Sequence, residues 1–362
     1  MRELTEDDIE ALEVGAAILG AGGGGNPYIG KLRCRRQMRS GGPVTLISLD
    51  ELTDDAFVIS VGGVGAPVVS VEKIEEGGEI LRALRSLEEF YGRKADAVIA
   101  AEIGGQNSME PLIIASQANI PAVDADGMGR AFPEMQMTTF SIYGKSSVPA
   151  AMADEKGNVV IYREAMSEAW FEQLARATVI AMGANAGCAT APMSGLYCKR
   201  AAVPGTVTKA IDLGRAVLDS NLRHTDPIDL ICQSQGGVRL MDGKIIDVKR
   251  HVQGGFNVGE VQIQGVGAHA GELAVVTLQN EFLTFTRGGV TEVCVPDLIV
   301  LLDSDTGHAI TTDVLRFGQR TTVLALPCHE LLRTPEALAV VGPEAFGLKG
   351  LTYRPLPARP HP

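Results

Sequence analysis

Two acidic segments carry the strongest chemical signal in this sequence. Glu102 stands directly after the apolar run 97–101, in Glu102-Ile-Gly-Gly-Gln-Asn-Ser108. Asp124 and Asp126 stand directly after the run 121–123, in Asp124-Ala-Asp-Gly-Met-Gly-Arg130, and Glu134 follows in the same irregular stretch. If the two runs are neighbouring parallel strands, their carboxylates converge at one sheet edge. There they could share acid and base roles or hold a divalent metal, the one cofactor this pattern suggests. The plainer alternative is a turn capped by Asp124 and Asp126, with Glu102 paired to Arg130.

The same loops supply groups able to hold a small ligand. Gly22, Gly23, Gly24 and Gly25, followed by Asn26, leave backbone amides free to face one. Gly62 and Gly63 follow the apolar run 56–61, and Gly104, Gly105 and Asn107 belong to the Glu102 segment. A glycine loop after a strand is the usual placement of a site at the carboxyl edge of a sheet. Gly20, Gly22 and Gly25 also fit the spacing of a dinucleotide fingerprint, which requires a strand immediately before it. Here Thr5 with Asp8 reads as a helix cap, and Ile9, Leu12, Ala16 and Leu19 recur at helical spacing over 6–19. No GKS or GKT follows a glycine run, and HExxH and GxSxG are absent.

Positioning these groups takes an alternation of strand, glycine loop and helix over 1–165, which implies an α/β domain with a largely parallel sheet. Helices are expected over 27–38, 78–91 and 111–119 within it, then over 167–184 and 208–219 in a helical connection spanning 166–225. Short β-type runs at 229–233, 238–241, 245–248, 260–265, 273–278, 284–286, 298–302 and 321–326 predict a β-rich, barrel- or sandwich-like domain over 226–354. Asp242-Gly243 reads as a hairpin turn. The proline-rich tail 355–362 is expected to fray.

Composition narrows the partners. The 362 residues are 45% hydrophobic and 21% charged, and the net charge of −12 repels nucleic acid and anionic membranes. No apolar run is long enough to span a bilayer, and the acidic start lacks a signal core. Cytoplasmic residence is expected. The six cysteines show no CxxC spacing, so neither a disulfide framework nor a zinc knot is indicated. Cys188, after Gly187 in an expected turn, is the best candidate for a reactive thiol.

Several long segments resemble a known family. The motifs 21–28, 62–67, 102–108 and 124–134 look like the N-terminal domain of the S-methyl-thiohydantoin desulfurase family. Gln279-Asn-Glu281, Val295-Pro-Asp-Leu-Ile299, Leu315-Arg-Phe-Gly-Gln-Arg320 and Val341-Gly-Pro-Glu-Ala-Phe-Gly347 look like its C-terminal domain. The resemblance implies two domains and hydrolytic removal of sulfur from a thiohydantoin-type five-membered ring, giving a hydantoin and a thiol. Some members are joined to hydantoinase-type proteins. The expected partner is therefore a small heterocycle, and self-association into a homo-oligomer is compatible with it. Glu102 with Asp124 or Asp126 is expected to carry the chemistry, and Asn280 with Glu281 to be the β domain's contribution. The rival is a cytosolic binding protein or hydantoinase-associated subunit that grips such a ring without turning it over.

Overall fold

The computed structural model describes residues 1–65, 73, 76–253 and 256–356. Ala66 and Pro67 of the second glycine segment, and 357–362 of the tail, lie outside the described residues.

The first sheet contains β1 (Arg2–Leu4), β2 (Val44–Ile47), β3 (Phe57–Gly65), β4 (Ala97–Ala100), β5 (Ala122–Asp126), β6 (Ala150–Ala153), β7 (Val159–Tyr162), β8 (Asn185–Ser194) and β9 (Val203–Pro204). Its order is β1-β2-β5-β4-β3-β8-β6-β7, with β9 on β5. The central quartet β2, β5, β4 and β3 is parallel, and antiparallel strands flank it. Helices cover it as expected of an α/β layer. The helix Glu6–Leu19 starts at the Thr5 capping box with Asp8. It packs along the helix Thr206–Arg223 with no room to spare. A methyl group on Gly15 would lie 1.7 Å from the Ala210 carbonyl oxygen, and one on Gly214 1.8 Å from that of Ala11.

The second sheet contains β10 (Val238–Gln253), β11 (Phe256–Gly265), β12 (Leu273–Gln279), β13 (Glu281–Arg287), β14 (Val290–Cys294), β15 (Leu298–Asp303) and β16 (Arg320–Leu326). It is antiparallel, in the order β14-β13-β12-β11-β10-β16-β15. Strands β13 and β15 also lie against each other, so the sheet curls into a half-barrel. The expected fold class, an α/β domain followed by a β-rich barrel-like domain, is therefore present.

Local expectations failed where tertiary pairing overrode local signals. Residues 62–65 and 124–126 continue strands β3 and β5 and are not loops. The turn expected around Cys188 is part of β8, which pairs with Gly62–Gly65 on one side and β6 on the other. Residues 229–233 lie in the helix Pro227–Gln235, started by the Asp226 cap and Pro227 in its first turn. Asp242-Gly243 turns no hairpin: β10 runs straight through it, paired on both sides, with register shifts at Arg239/Met241 and Ile245/Asp247. The segment 166–225, expected as a helical connection, places β8 inside the first sheet between β3 and β6. One apolar core includes Leu12, Ile59 and Leu84 together with Ile211, Val300 and Leu324. No described helix is long and apolar enough to cross a membrane.

Candidate active site

A cleft with about 1080 Å³ of empty space, its open mouth included, lies where the glycine segments of the first sheet meet the second sheet. Gly24, Gly25, Gly62, Gly63, Glu102 and Asn107 line it from the first unit, and Asn280 and Glu281 from the second.

Strand geometry explains the position of Asn107. Strand β4 ends at Ala100, opposite Val61, while β3 continues to Gly65. Beyond β4 the edge of β3 thus has no strand partner among the described residues, and the Asn107 carboxamide takes that place. Its Oδ1 accepts the Gly63 N–H at 2.8 Å and its Nδ2 donates to the Gly63 carbonyl at 3.2 Å. The same Nδ2 donates to Oε1 of Glu102 at 2.6 Å.

Glu102, just past β4, is buried and receives the Phe132 N–H on Oε2 at 3.3 Å. Burial pushes its carboxyl from the ordinary 4.5 up to about 7, and the nearby Asp126 charge adds to this. The donors Asn107 and Phe132 and the positive charge of Arg130 oppose the rise.

Glu281 arrives on a tight turn between β12 and β13, in which Gln279 pairs with Glu281 across Asn280. Asn280 has φ 58°, a left-handed conformation that asparagine tolerates. Its N–H donates to the Asn257 carbonyl at 2.8 Å, and its Oδ1 accepts the Asn257 N–H at 2.9 Å. Thr312 clamps this tip to the first glycine loop. Its Oγ1 donates to the carbonyls of Asn280, at 2.7 Å, and Gly22, at 3.1 Å. The Thr312 N–H also donates to Gly22, and the Phe282 N–H to Ala21, each at 2.9 Å. A methyl group on Gly23 would fall 1.9 Å from Oε1 of Glu281, so glycine is required for the carboxyl to seat. Burial holds the Glu281 carboxyl well above its ordinary value, and the Glu102 charge raises it further. Its Oε2 is buried without a hydrogen-bond partner among the described residues.

Arg130 stands behind this pair and does not line the cleft. It is fully buried and donates to the carbonyls of Ala131 and Pro296 at 2.9 Å and Asp297 at 3.0 Å. Its guanidinium lies 4.5 Å from the Phe132 ring centroid. Burial brings it down to about 10, against the pull of Glu281 and other acids. It acts on the carboxyls through its charge and makes no direct ion pair with Glu102 among the described residues.

Asp124 and Asp126, expected beside Glu102 in the site, lie outside the lining. Asp124 accepts the Thr208 N–H at 3.0 Å and the Thr208 hydroxyl, fixing the first turn of the helix Thr206–Arg223. Asp126 is buried, and its Oδ2 accepts the N–H groups of Ile103 (2.8 Å), Met128 (3.0 Å) and Gly129 (2.8 Å). It ties the ends of β4 and β5 together. Burial pushes it up to about 7 despite those bonds. Gly22, Gly23, Gly104 and Gly105 shape the wall from behind, with the Gln106 N–H donating to the Gly24 carbonyl at 2.9 Å. Asn26 caps the helix Pro27–Gly41 and does not line the cleft. Glu134 does line it, pushed up by burial and by Glu172.

Sequence reasoning missed Arg176, Phe132 and Met128, and the floor formed by Ser60 and Thr190, paired across β3 and β8. Arg176 bonds Oε1 of Glu172 through Nε at 2.8 Å and Nη2 at 2.6 Å. The i,i+4 spacing of these two was its one sequence signal. Cys188 lines the cleft as a buried thiol, pushed up to about 12 mainly by burial. Among the described residues no three His, Cys, Asp or Glu side chains are grouped to hold a metal ion.

The model for the N-terminal domain of S-Me-THD-like proteins matches residues 7–164, and that for their C-terminal domain matches residues 166–356. A search of curated proteins gave no match. Among solved structures, the crystal structure of a protein from Chromobacterium violaceum is similar at 25% identity and a TM-score of 0.81. The match covers 98% of this chain and all of that one. With both domain models matched in order over nearly its whole length, the chain belongs to the S-Me-THD-like family.

Proposed function

We propose that this protein hydrolyses the exocyclic carbon–sulfur bond of an S-methylated thiohydantoin-type ring, producing a hydantoin and methanethiol. The observation that carries the reading is the presence in one cleft of two buried carboxyls, Glu102 from the first sheet's side and Glu281 from the second sheet, each raised above its ordinary range chiefly by burial. A binding protein needs donors and acceptors only. A hydrolase needs one group able to take a proton and another able to give one, and two buried carboxyls raised above their ordinary range at one cleft can divide those roles.

The reaction has two proton demands. Water adds to the ring carbon that bears sulfur, the carbon–nitrogen π pair moving onto the ring nitrogen, and one of the water's protons must be removed as the C–O bond forms. Glu102, ionised as pH rises past about 7, is the base. The tetrahedral carbon then expels sulfur: its remaining O–H proton passes to the ring nitrogen as the carbonyl forms, and the C–S bond electrons leave as a thiolate that takes a proton. Glu281, held protonated, is the acid. The proton taken by Glu102 balances the one given by Glu281, and its return from Glu102 to Glu281 restores both groups for the next turnover. Asn107 fixes the rotamer of Glu102 and thereby acts as a positioning residue.

Glu102→Gln and Glu281→Gln test the assignment, since each keeps the size and removes the ionisation. Each is expected to lower kcat about a hundredfold or more with the fold intact. The two should differ with leaving group. An S-aryl ring, whose thiolate leaves without help, should restore turnover in Glu281→Gln and leave Glu102→Gln slow. Equal loss in both variants for both substrates would assign the carboxyls to binding.

A further inference from the structure

The cleft does not end at the two carboxyls. It continues along the paired strands β3 and β8, whose side chains alternate between the apolar core and the cleft. Ile59, Val61 and Ala189 turn into the core, while Ser60, Cys188 and Thr190 line the cleft. Gly62 stands opposite Cys188 and beside Asn107, at the end where Glu102 lies. Ser60 stands opposite Thr190, one rung further into the sheet.

Three features set this inner end apart. The Ser60 side chain is buried, and its hydroxyl has no hydrogen-bond partner among the described residues, an arrangement that costs stability. Beside it the strands fall out of step. Between the pair Val58 with Met193 and the pair Ser60 with Thr190, β3 advances two residues and β8 three. Ala191 in this bulge has φ 46°, a left-handed conformation alanine rarely adopts, and its N–H bonds the Ser147 carbonyl at 2.9 Å. The walls, finally, are uncharged. Of the charged residues lining the cleft, Glu102 and Glu281 lie at the reacting end, and Glu134 and Arg176 at the segment 133–135, where Arg176 donates to the Pro133 carbonyl at 3.2 Å. Phe140 and Ala191 pack in one cluster with Val58, the next residue on the Ser60 face of β3.

We propose that this inner chamber receives the substituent on the saturated carbon of the ring, and that it selects a short, uncharged substituent whose tip hydrogen-bonds Ser60. The inference rests on the desulfurase reading and names the substrate class within it. A ring that turns its sulfur-bearing carbon to Glu102 and Glu281 carries the saturated carbon on its far side. From the Gly62 rung to the Ser60 rung is two residues of strand, roughly 6–7 Å, within reach of a short side chain. A charged tip would lose its hydration there with no countercharge to replace it. An alkyl tip would fit and leave the Ser60 hydroxyl unpaired.

The test compares S-methyl thiohydantoins whose saturated carbon bears hydroxyethyl, propyl, carboxyethyl or no substituent, by kcat/KM for thiol release. Hydroxyethyl should be preferred over propyl, its match in size, about tenfold, and carboxyethyl should be poorest. Ser60→Ala should abolish the preference for hydroxyethyl. Ser60→Val, which also narrows the chamber, should lower the ratio of either long ring to the unsubstituted one about tenfold or more. Ratios that neither substitution moves, or a carboxyethyl ring turned over as well as the hydroxyethyl one, would overturn the proposal. If no ring releases thiol, the desulfurase reading fails by itself, and calorimetric binding of the corresponding hydantoins to the full-length protein and to Ser60→Ala decides on the chamber. The same hydroxyethyl preference in affinity, lost in Ser60→Ala, would support it; equal affinities, or no binding, would overturn it.

Discussion

In the proposed reaction the chemistry turns on Glu102 and Glu281, and their surroundings set the expected pH response. Activity should rise with pH as Glu102 ionises near 7 and fall again once Glu281 loses its proton at higher pH. Asn107 donates to the charged form of Glu102 and so pulls its pKa down. Asn107→Ala removes that donor, and the acid limb of the kcat/KM profile should move to higher pH. A purely structural asparagine would lower activity at every pH and leave the limb in place. Cys188 lines the cleft as a protonated thiol, too high in pKa to act as a nucleophile near neutrality. Cys188→Ser should therefore retain thiol release within a few-fold, measured with a thiol reagent. Loss of turnover with the fold intact would move the mechanism to sulfur transfer through that cysteine. Glu102 was legible in the sequence because it follows a buried run and precedes glycines. Asp124 and Asp126 show the same pattern and do other work. The sequence does not reveal that Oδ2 of Asp126 is taken up by three backbone amides, nor that Asp124 reaches a helix more than eighty residues away.

At the scale of elements, the site depends on a hairpin tip pressed into a bare-backbone loop. Gly23 leaves room for the Glu281 carboxyl, and Gly23→Ala should displace it, costing about 1–3 kcal/mol by overpacking. Activity should fall more steeply than stability, read by kcat beside a thermal melt; a normal kcat in a folded variant would free Glu281 from this seat. The elements themselves were legible wherever local chemistry is decisive, as at the Thr5 capping box and the amphipathic helix Glu79–Tyr91. They were misread where pairing decides. A run of glycines in β3 is straight because β8 bonds it along its length, and Asp242-Gly243 is extended because β11 and β16 hold it. Asn280 and Glu281 were found through their resemblance to a family motif, since nothing local marks that turn as catalytic.

At the scale of the molecule, the two family domains meet at residue 165, yet the first sheet does not stop there. Strand β8 lies between β3 and β6, and the helix Thr206–Arg223 buries one side of Glu6–Leu19. A fragment of residues 1–165 would expose both surfaces. It should fail to unfold cooperatively by circular dichroism, whereas a fragment of residues 1–225 restores the missing strand and helix and should do better. A sharp melt for the shorter piece would refute this interlocking. The composite cleft follows from the same arrangement, because its two buried carboxyls, Glu102 and Glu281, come from different family domains and neither half carries the pair.

The most direct test of hydrolysis at that pair is turnover of an S-methyl thiohydantoin in ¹⁸O-labelled water, following methanethiol and the mass of the ring product together. One ¹⁸O in the new hydantoin carbonyl for each methanethiol released, abolished in parallel by Glu102→Gln and Glu281→Gln, is the predicted result. Saturable binding of the ring with no thiol released, or thiol release that survives both substitutions, would contradict it.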